Sequence, residues 1–395
     1  MTAIDGVSGS PALERYQDEI YVAGAQGVRP ILPTGLDRLS ALAARKMTPE
    51  AYGYVAGAAG SEDTKRENRL ALDRWRIVPR MLTDVSNASY ATTVLGTSMP
   101  TPFMLAPIGV LRIVHPEGEA AVARAAAAEG ITLVMSTAAT ATIEEVAEAS
   151  GSGPRWFQLY WPKDRAVATS LLERAKAAGF TTLVATLDTR LLGYRPRDLD
   201  LGYLPFIRGE GTQVYFSDPA FRAGLAGAPD ADPTAAFMHY AQMFGDTSLT
   251  WADLPFLRAN WSGPIVLKGI LSAEDARRAA DAGVDGVIVS NHGGRQVDGA
   301  IGAAEALPAV ADAVGDRLSV LFDSGVRGGA DVVKALALGA KAVLLGRPYA
   351  YGLALAGEAG VRHVIRALRA EFELTMRLSG VANLDELGRD LLVRR

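Results

Sequence analysis

Short apolar runs alternate with longer amphipathic stretches along residues 102–350. The runs are rich in Val, Ile and Leu, and helical patterns such as PEGEAAVARAAAAEG and SAEDARRAADAG follow most of them. Strands that alternate with helices in this way are typical of βα units around a parallel sheet. The predicted strands are FMLAPIG (103–109), ITLVMST (131–137), RWFQLYW (155–161), TTLVATLD (181–188), PIVLKG (264–269), GVIVSN (286–291), SVLFDSG (319–325) and AVLLGR (342–347).

These units predict a closed (β/α)8 barrel of the TIM type. Parallel strands with continuous apolar character are buried on both faces, and eight of them close naturally into a barrel. A doubly wound open sheet is the alternative, but it requires a Gly-rich phosphate loop after the first strand, and APIGVLRIVHPEG is not such a loop. We therefore predict one α/β domain over residues 1–395, with the barrel in residues 101–350.

Three regions lie outside the repeat. Residues 1–100 form an N-terminal extension with a predicted helix near 36–56 and a predicted hairpin around 77–100. Residues 190–250 interrupt the repeat after the fourth strand, and insertions of this length inside a compact domain are usually lids or binding loops. We expect this insertion to be a lid over the barrel mouth. The C-terminal region, 351–395, contains a long helical tract and then a short second helix.

The amino-acid composition mainly excludes certain partners and kinds of site. The net charge is -4 with acids and bases interspersed, so no nucleic-acid partner is expected. The chain has no cysteine, which excludes disulfides, thiolate nucleophiles and iron–sulfur ligation. Its four histidines stand in unrelated contexts, and we therefore expect no metal site.

Targeting and membrane segments are also not expected. The first residues, MTAIDGVSGSPALERYQDEI, have no basic segment followed by an apolar core, and a signal peptide requires both. No stretch approaches the roughly 20 apolar residues of a membrane span. We expect a cytoplasmic protein without a membrane partner.

The carboxyl ends of the predicted strands are unusually polar. Any one of these residues could be a satisfied polar group at a strand terminus, but in a barrel they all meet at one face, and together they predict a polar site there. They are Ser136, Thr137, Gln158, Tyr160, Thr186, Asp188, Lys268, Ser290, Asn291, His292, Asp323, Gly346 and Arg347.

The seventh and eighth units predict a phosphate site. DSGVRGGADVVKALALG places Gly325, Gly328 and Gly329 just before a helix, whose amide groups and dipole attract an anion. Glycines are common at strand-to-helix turns for other reasons, so this cluster alone is weak. Gly346 and Arg347 at the end of the eighth strand strengthen it, because these two units commonly hold phosphate in barrels.

The sixth unit carries the most specific string, SNHGGRQVDG. It places His292 and Arg295 just past a strand end, and a histidine is well suited to accept a proton near neutral pH. A lone loop histidine is more often structural, but Asp188 at another strand end can orient it. Arg195 and Arg295 can clamp a carboxylate with their fork geometry; the alternative is that both form surface ion pairs.

Ordered motifs resemble those of a known family. SNHGGRQ, DSGVRGGADVVKALALGA, LLGRP and EFELTMRLSG are similar to the FMN-dependent 2-hydroxy acid oxidising enzymes, the group that contains glycolate oxidase, lactate oxidase and mandelate dehydrogenase. YVAGAAG, PRMLTDVS, APIG, HPEGE, FQLYW, TLDT and VLKG match further positions in the correct order, from about residue 35 to 390. The resemblance implies FMN as cofactor, a small L-2-hydroxy acid as substrate and assembly as a homotetramer or homo-octamer.

The resemblance also implies residue roles. His292 is the expected base, held by Asp188, and Tyr160 is expected to hydrogen-bond the substrate. Arg195 and Arg295 are expected to bind the substrate carboxylate, with a hydroxyl contact from Tyr54. The residues implied for the flavin are Pro107, Ile108 and Gly109 along its face, Ser136, Gln158 and Thr186 at its polar edge, Lys268 and Ser290 near the ring, Asp323 at the ribityl chain, and Gly325, Arg327, Gly346 and Arg347 at the phosphate.

Within this family the sequence is most similar to the lactate 2-monooxygenases, which convert lactate and O₂ to acetate, CO₂ and water. The leader YQDEIYVAGAQGVRPILPTG, the insertion motifs YLPFIRG, SDPAF and LTW, and Gly109 carry this similarity. Many relatives have Ala at the position of Gly109, and we expect the missing methyl group to change crowding at the flavin face. The alternatives are an oxidase that releases keto acid and hydrogen peroxide, a dehydrogenase, an FMN-dependent isomerase, and an inactive flavin-binding scaffold.

Overall fold

The computed structural model describes residues 16–395. The prediction that no signal peptide is present falls mostly on residues 1–15, which lie outside the described residues. Within residues 16–395, no helix combines the length and the apolar character that a membrane crossing needs.

From residue 16 onward, the described part of the N-terminal extension contains the helices α1 (Tyr16–Ala25), α2 (Leu39–Lys46), α3 (Pro49–Ala56) and α4 (Asp63–Asp73). The single helix predicted near 36–56 is wrong in detail, because a 3-10 turn and two separate helices occupy this stretch. The break has a local cause. The Thr48 hydroxyl accepts a hydrogen bond from the amide of Ala51, and Pro49 occupies the first turn, so a new helix starts there.

Three short strands follow in the extension: β1 (Trp75–Ile77), β2 (Thr92–Val94) and β3 (Thr97–Met99). β2 and β3 form the predicted hairpin, but it is shorter than expected. Its turn residues, Leu95 and Gly96, both have positive φ, as a tight two-residue hairpin turn requires. β1 is not part of the hairpin and pairs instead with the C-terminal strand 392–394.

Eight parallel strands close into a barrel, which confirms the predicted fold class. The last strand pairs with the first, so the sheet has no free edge. The strands are β4 (Phe103–Leu105), β5 (Leu133–Ser136), β6 (Arg155–Tyr160), β7 (Leu183–Thr186), β8 (Ile265–Ile270), β9 (Gly286–Val289), β10 (Ser319–Phe322) and β11 (Ala342–Leu345).

Helices surround the barrel and extend into the insertion. Those that follow the first three barrel strands are α5 (Gly118–Ala128), α6 (Ile143–Ser150) and α7 (Arg165–Ala177). The insertion contains α8 (Pro196–Asp200), α9 (Gln213–Phe216), α10 (Pro219–Ala223) and α11 (Pro233–Met243). The remaining helices are α12 (Leu254–Asn260), α13 (Ala273–Asp281), α14 (Ala303–Val314), α15 (Gly329–Ala337) and α16 (Arg347–Leu378).

The barrel interior is filled by apolar side chains, and every strand contributes at least one of them. Alternate residues of the same strands pack outward against the helices, as the two-residue period of a strand requires. At the amino ends of the strands, the β2–β3 hairpin closes the barrel, and the indole of Trp156 donates a hydrogen bond to Thr97. The interior residues are Met104, Ala106, Val134, Trp156, Val184, Val266, Ile288, Leu321, Ala342 and Leu344, which pack on Val94 and Met99 of the hairpin.

The C-terminal region differs from its prediction at the end. The long helix α16 is present and is broken at Ala356 and Gly357, where Gly357 has φ +58. The predicted short second helix is instead two 3-10 turns, Leu384–Glu386 and Arg389–Leu391, followed by β12 (Leu392–Arg394). Gly388 separates the two turns with extended backbone, so no continuous helix forms.

Candidate active site

A cavity opens at the carboxyl ends of the barrel strands, under the insertion. Most of the residues expected to bind cofactor or substrate line it, although the chain contributes them from distant segments. The expected residues on its surface are Tyr54, Pro107, Ile108, Gly109, Tyr160, Arg195, Lys268, His292, Arg295, Asp323, Gly325, Arg327, Gly346 and Arg347.

His292 and Asp188 form a hydrogen-bonded pair at the edge of this cavity. Nδ1 of His292 lies 2.8 Å from Oδ1 of Asp188. Burial alone would raise the pKa of Asp188, but the charges of His292 and Lys268 outweigh it and lower that pKa to about 2. An ionised carboxylate only accepts hydrogen bonds, so Nδ1 carries the proton and Nε2 keeps a free electron pair.

The free Nε2 of His292 faces the cavity. It lies 3.3 Å from the hydroxyl of Tyr160, which donates to it. Burial lowers the pKa of His292 from its ordinary value, although Asp188 acts in the opposite direction. His292 is therefore a neutral proton acceptor at neutral pH. Burial raises the pKa of Tyr160, so its phenol remains protonated.

The turn that carries His292 is strained and tightly held. His292 has φ +59, a left-handed conformation that is uncommon outside glycine. The Ser324 hydroxyl accepts from the amide of Gly293 at 3.0 Å, and the Ser290 hydroxyl accepts from the amide of His292 at 3.1 Å. These bonds fix the imidazole relative to the ends of β9 and β10.

Asn68 in α4 also holds this turn, and the sequence analysis missed it. Its side chain exchanges hydrogen bonds with Asn291, which in turn caps the turn at the amide of Gly294. A signal was available, since Asn68 stands at helical spacing from the apolar residues Ala71 and Leu72, on the buried face of α4. A polar residue at a core position usually has a specific partner.

Arg195 and Arg295 meet beside His292 as a pair of guanidinium groups. Arg195 is buried and bonds to the carbonyl of Arg295 at 3.2 Å and to the side chain of Gln296 at 2.9 Å. Arg295 lies 4.7 Å over the ring of Tyr54. Neither forms an ion pair with a carboxylate within residues 16–395, so the surface ion-pair alternative does not describe them.

This pair of cations favours an anion. Burial, and then the charge of Arg295, lower the pKa of Arg195 to about 10. Arg195 is buried and Arg295 half-buried, and neither forms an ion pair within the described chain, although the buried carboxylate of Asp198 lies close enough to interact with both charges. An anion bound between the two arginines would stabilise them further. The arrangement therefore fits the predicted carboxylate clamp.

A second cationic group lies at the eighth strand. Arg347 donates to the carbonyls of Val55, Gly293 and Gly57 at 2.8–3.0 Å, and burial lowers its pKa to about 9. Burial also lowers the pKa of Arg327. A Cβ atom at Gly346 would meet nothing within 4 Å, so space remains beside these groups. This is where the sequence predicts a phosphate.

The glycines before α15 are required for close packing, in addition to the phosphate contact that the sequence predicts for them. A Cβ atom at Gly329 would lie 2.1 Å from the amide nitrogen of Phe372, and one at Gly328 would lie 2.8 Å from the carboxylate of Glu371. Both glycines therefore allow close packing against α16. Gly325 lines the cavity, but a Cβ atom there would lie 2.8 Å from the carbonyl oxygen of Asn68, so it too is required for a close backbone approach.

Lys268 lies deep in the barrel mouth between two polar partners. Its ammonium group is 3.3 Å from Asp323 and donates to the Ser290 hydroxyl at 3.0 Å. Burial opposes the charge of Lys268, but the carboxylates of Asp323 and Asp188 outweigh it and raise the pKa of Lys268. A permanent positive charge is thus held at the floor of the cavity.

Three of the expected flavin residues form a hydrogen-bonded chain across adjacent strands and do not lie on the cavity surface. The hydroxyl of Ser136 donates to Gln158 Oε1 at 3.0 Å, and the Gln158 amide donates to the Thr186 hydroxyl at 2.9 Å. Ser290, through its bond to Lys268, is likewise behind the cavity wall. These residues reach the cavity only through their neighbours in this structure.

The loop 106–110 forms one wall of the cavity and is fixed by a buried carboxylate that the sequence analysis also missed. Glu119 accepts hydrogen bonds from the amide of Leu111 at 3.1 Å and from the amide and hydroxyl of Thr140. It thereby ties the loop after β4 to the loop after β5. A Cβ atom at Gly109 would lie 2.5 Å from the carbonyl oxygen of Ala138, so the space beside Gly109 is already filled.

Residues of the insertion line the cavity, and we call residues 190–250 the lid; that this segment opens and closes stays a prediction. Its two ends lie together, since a Cβ atom at Gly245 would lie 2.3 Å from the carbonyl oxygen of Arg190. The Tyr215 hydroxyl donates to the carbonyl of Tyr160 at 3.4 Å. From the lid, Leu192, Arg195, Phe206 and Phe244 line the cavity.

Known proteins are similar to this chain in sequence and in architecture. Residues 43–394 match the model of a family described as FMN-dependent dehydrogenase. An FMN-dependent alpha-hydroxy acid dehydrogenase of Schizosaccharomyces pombe is 45% identical over 390 residues, 96% of each chain. An L-lactate oxidase of Lysinibacillus sphaericus is 42% identical over 356 residues, 89% of this chain and 90% of the relative. A crystal structure of mandelate oxidase aligns with TM-score 0.82 at 37% identity, covering 92% of this chain and 99% of that one.

Proposed function

The chain belongs to the FMN-dependent dehydrogenase family, whose cofactor is FMN, and on that premise we propose that it is a lactate 2-monooxygenase. The coarser activity, FMN-dependent oxidation of α-hydroxy acids, follows from its relatives. In the finer reaction, one lactate and one O₂ give one acetate, one CO₂ and one water. The observation that carries the site assignment is the neutral Nε2 of His292 beside two arginines, one of them buried, that form no ion pair with a carboxylate in the described chain.

The cavity residues fit FMN. A phosphate would neutralise the buried guanidinium groups of Arg327 and Arg347, beside the open space at Gly346. The ion pair between Lys268 and Asp323 lies on the cavity floor. Lys268 offers a cation for the edge of the flavin ring, and Asp323 offers an acceptor for the ribityl hydroxyls. The loop 107–109 and His292 line the same cavity, so a ring between them would have the base on one side.

When bound, FMN accepts two electrons from the substrate α-carbon and passes them to O₂. The protein supplies orientation and proton transfer. Arg195 and Arg295 would hold the substrate carboxylate, which fixes the hydroxyl near Nε2 of His292 and lowers the entropic cost of the reaction. His292 then accepts a proton from the substrate at Nε2, and the ionised Asp188 stabilises the resulting imidazolium.

Tyr160 has a supporting role in this proposal. Its hydroxyl lies 3.3 Å from Nε2 and remains protonated, so it can donate to the substrate oxygen once a substrate displaces that contact. Lys268 holds a positive charge on the cavity floor, next to the position proposed for the flavin ring. This charge would stabilise the negative charge of reduced FMN.

The presence of the lid favours the proposal of a monooxygenase over that of an oxidase, which releases the keto acid before decarboxylation. This reaction needs the keto acid to remain bound until O₂ has reacted, and slow lid opening would retain it. The lid is anchored at both ends by the contact between Arg190 and Gly245, and over the mouth by Tyr215.

A second candidate is an oxidase that releases keto acid and hydrogen peroxide. One observation favours it: Ala138 fills the position that a side chain at Gly109 would occupy, so the absence of that methyl group does not by itself create room for O₂. The L-lactate oxidase relative is consistent with this alternative.

One experiment separates the candidates. Purified protein with bound FMN is mixed anaerobically with L-lactate, and bleaching of the flavin absorbance is followed; air is then admitted and the products are identified. Acetate and CO₂ in equal amounts support the monooxygenase when they form with catalase present, because catalase removes free hydrogen peroxide before it can decarboxylate released pyruvate. Pyruvate with hydrogen peroxide supports the oxidase, and an absence of bleaching with every 2-hydroxy acid contradicts both.

A further inference from the structure

A second cavity opens beside the proposed active site, at the carboxyl ends of β6 to β9. It has a volume of about 920 Å³ and lies between the two ends of the lid and the loops that follow β8 and β9. Its rim carries the exposed residues Thr247, Thr250 and Val297, and its floor carries the buried residues Ile270 and Ser290. The second cavity therefore runs from the protein surface into the mouth of the barrel.

A thin wall separates the second cavity from the first, which is the cavity proposed for flavin and substrate. Tyr160, Thr189 and Leu192 line both cavities. His292 lines the first cavity and Asp188 lines the second, so the hydrogen bond between them crosses the same wall. At this place the two cavities are a single side chain apart.

Leu192 is the part of this wall that can move most easily. The hydroxyl of Tyr160 lies 3.3 Å from His292, and the hydroxyl of Thr189 donates to Asp188 at 3.0 Å. Leu192 belongs to the lid, is 45% exposed and has no polar atom that could fix its side chain. Because exposed side chains change rotamer within nanoseconds, Leu192 can open a passage without movement of the whole lid.

The two cavities carry opposite charge. Among the described residues, five basic side chains and one carboxylate line the first cavity. The second cavity is lined by the carboxylates of Asp188, Asp246 and Asp275 and by one basic residue, Arg190. Asp246 also interacts with two basic neighbours, but neither of them lines the cavity. An anionic hydroxy acid in the second cavity would lose hydration and meet like charges, whereas a neutral molecule would not.

Much of the remaining lining of the second cavity is apolar. The side chains of Trp161, Leu249, Trp251, Leu254 and Leu271 contribute to it. Apolar cavities in proteins accept small apolar molecules such as xenon. The lining and the charge of the second cavity therefore suit a small, neutral, apolar molecule, and O₂ is one.

We propose that the second cavity is the entry route of O₂, which crosses the wall at Leu192, whereas the hydroxy acid and its keto acid product use the first cavity. This inference rests on the proposed function, because it assumes that O₂ accepts the electrons. A separate route suits the monooxygenase reaction, since the keto acid still occupies the first cavity when O₂ arrives. On this route O₂ enters on the side of His292, next to the product.

The test narrows the second cavity with Leu249→Trp and Leu271→Trp. Both residues line the second cavity and not the first. Protein with bound FMN is reduced anaerobically by L-lactate and then mixed with O₂, and the second-order rate constant of flavin reoxidation is measured. We expect this constant to fall by at least about 10-fold in each variant. The rate of flavin reduction by L-lactate should not change, because the substrate enters through the first cavity.

Leu199→Trp is the matched control. Leu199 is in the lid and 55% exposed, but it lines neither cavity. The control should leave both rates unchanged, and Leu192→Ala, which thins the wall, should raise the rate constant for O₂. Equal slowing in the control, or parallel slowing of reduction and reoxidation in the narrowed variants, overturns the proposal. Leu249→Phe and Leu271→Phe replace the tryptophan variants if those do not fold.

A structural measurement tests the route without turnover. Crystals of the unmodified protein are pressurised with xenon, which is located by its anomalous scattering. We expect xenon in the second cavity and its loss from that cavity in the tryptophan variants; no xenon there in the unmodified protein overturns the proposal.

The same measurements separate this inference from the proposed function. If the reduced flavin of the unmodified protein does not react with O₂, the proposed function is contradicted and this inference with it. If the unmodified protein reacts with O₂ and the narrowed variants react equally fast, only the inference is overturned.

Discussion

Asn68 and Asn291 exchange two hydrogen bonds in the interior of the protein. The Asn68 amide donates to Asn291 Oδ1 at 2.8 Å, and the Asn291 amide donates to Asn68 Oδ1 at 2.7 Å. Both side chains are buried. Because Asn291 caps the turn that begins at His292, this pair links helix α4 of the N-terminal extension to the proposed base.

We expect Asn68→Leu to lower kcat for flavin reduction by about 10-fold while changing KM little, because the turn of His292 loses an anchor but the arginine pair is untouched. FMN content should be retained. Thr64→Val is the control: Thr64 contacts the same segment further along, at Val297 and Ala300. A fall in melting temperature with an unchanged kcat would assign Asn68 to stability alone, and so would an equal loss of kcat in the control.

The pH dependence of flavin reduction should report His292. Burial lowers its pKa from 6.5, so the imidazole is neutral at pH 7, and the rate should be flat above about pH 6.5 and fall at lower pH as Nε2 becomes protonated. Asp188→Asn removes the charge that raises this pKa, and its amide NH2 group can donate to Nδ1, so the tautomer is no longer fixed. We expect the rate to fall by about 100-fold or more with the inflection at lower pH. Stopped-flow absorbance across pH 5–9 is the measurement, and an inflection that moves upward would contradict the assignment.

FMN retention should depend on the shape of Arg347 as well as on its charge. Its guanidinium bonds to three backbone carbonyls, and a lysine ammonium lacks the planar fork needed to reproduce that set. Arg347→Lys should raise the dissociation constant of FMN by at least about 10-fold, measured by flavin fluorescence. Arg317→Lys, at an exposed ion pair with Asp281, is the control and should bind FMN normally.

The lid contains a buried hydroxyl that lowers stability. The hydroxyl of Tyr240 has no hydrogen-bond partner within residues 16–395, although the side chain is only 3% exposed. Tyr240→Phe removes this unpaired group, so the free energy of unfolding should rise by about 1 kcal/mol. Tyr90→Phe should have the opposite effect, because the Tyr90 hydroxyl donates to the carbonyl of Val381 at 2.8 Å. Chemical denaturation of the FMN-bound protein tests both, and equal effects would exclude this explanation.

Gly109 allows a direct test of whether the reaction with O₂ gives acetate or releases hydrogen peroxide. A methyl group there would collide with Ala138, so Gly109→Ala must move the loop after β4 toward the ring site or displace Ala138. In a monooxygenase we expect the ratio of acetate to hydrogen peroxide to fall, since the altered loop changes the packing of product and O₂. Product analysis after aerobic turnover measures this ratio. An unchanged ratio would remove Gly109 from the explanation of the monooxygenase reaction.

Local sequence patterns predicted the barrel because each βα unit carries its own pattern. The eight strands occupy the predicted runs, and the polar residues at their ends meet at one mouth. The pairing of His292 with Asp188 was also predictable, because both follow barrel strands and every strand end faces the same side. The ends of the helices were less predictable. Thr48 and Pro49 start helix α3, but they lie within a stretch whose pattern predicted one continuous helix.

The sequence by itself therefore determined the order of the elements, the position of the mouth and the chemical groups gathered there. Only the tertiary structure decided that Asn68 pairs with Asn291, that Gly328 and Gly329 provide space for α16, and that Phe206 and Phe244 face the cavity. The physical reason is the distance along the chain between the residues in contact. Strand and helix periodicity records which side of one element is buried, whereas these contacts join segments far apart in the chain, whose partners are selected only when the whole barrel and its lid are packed.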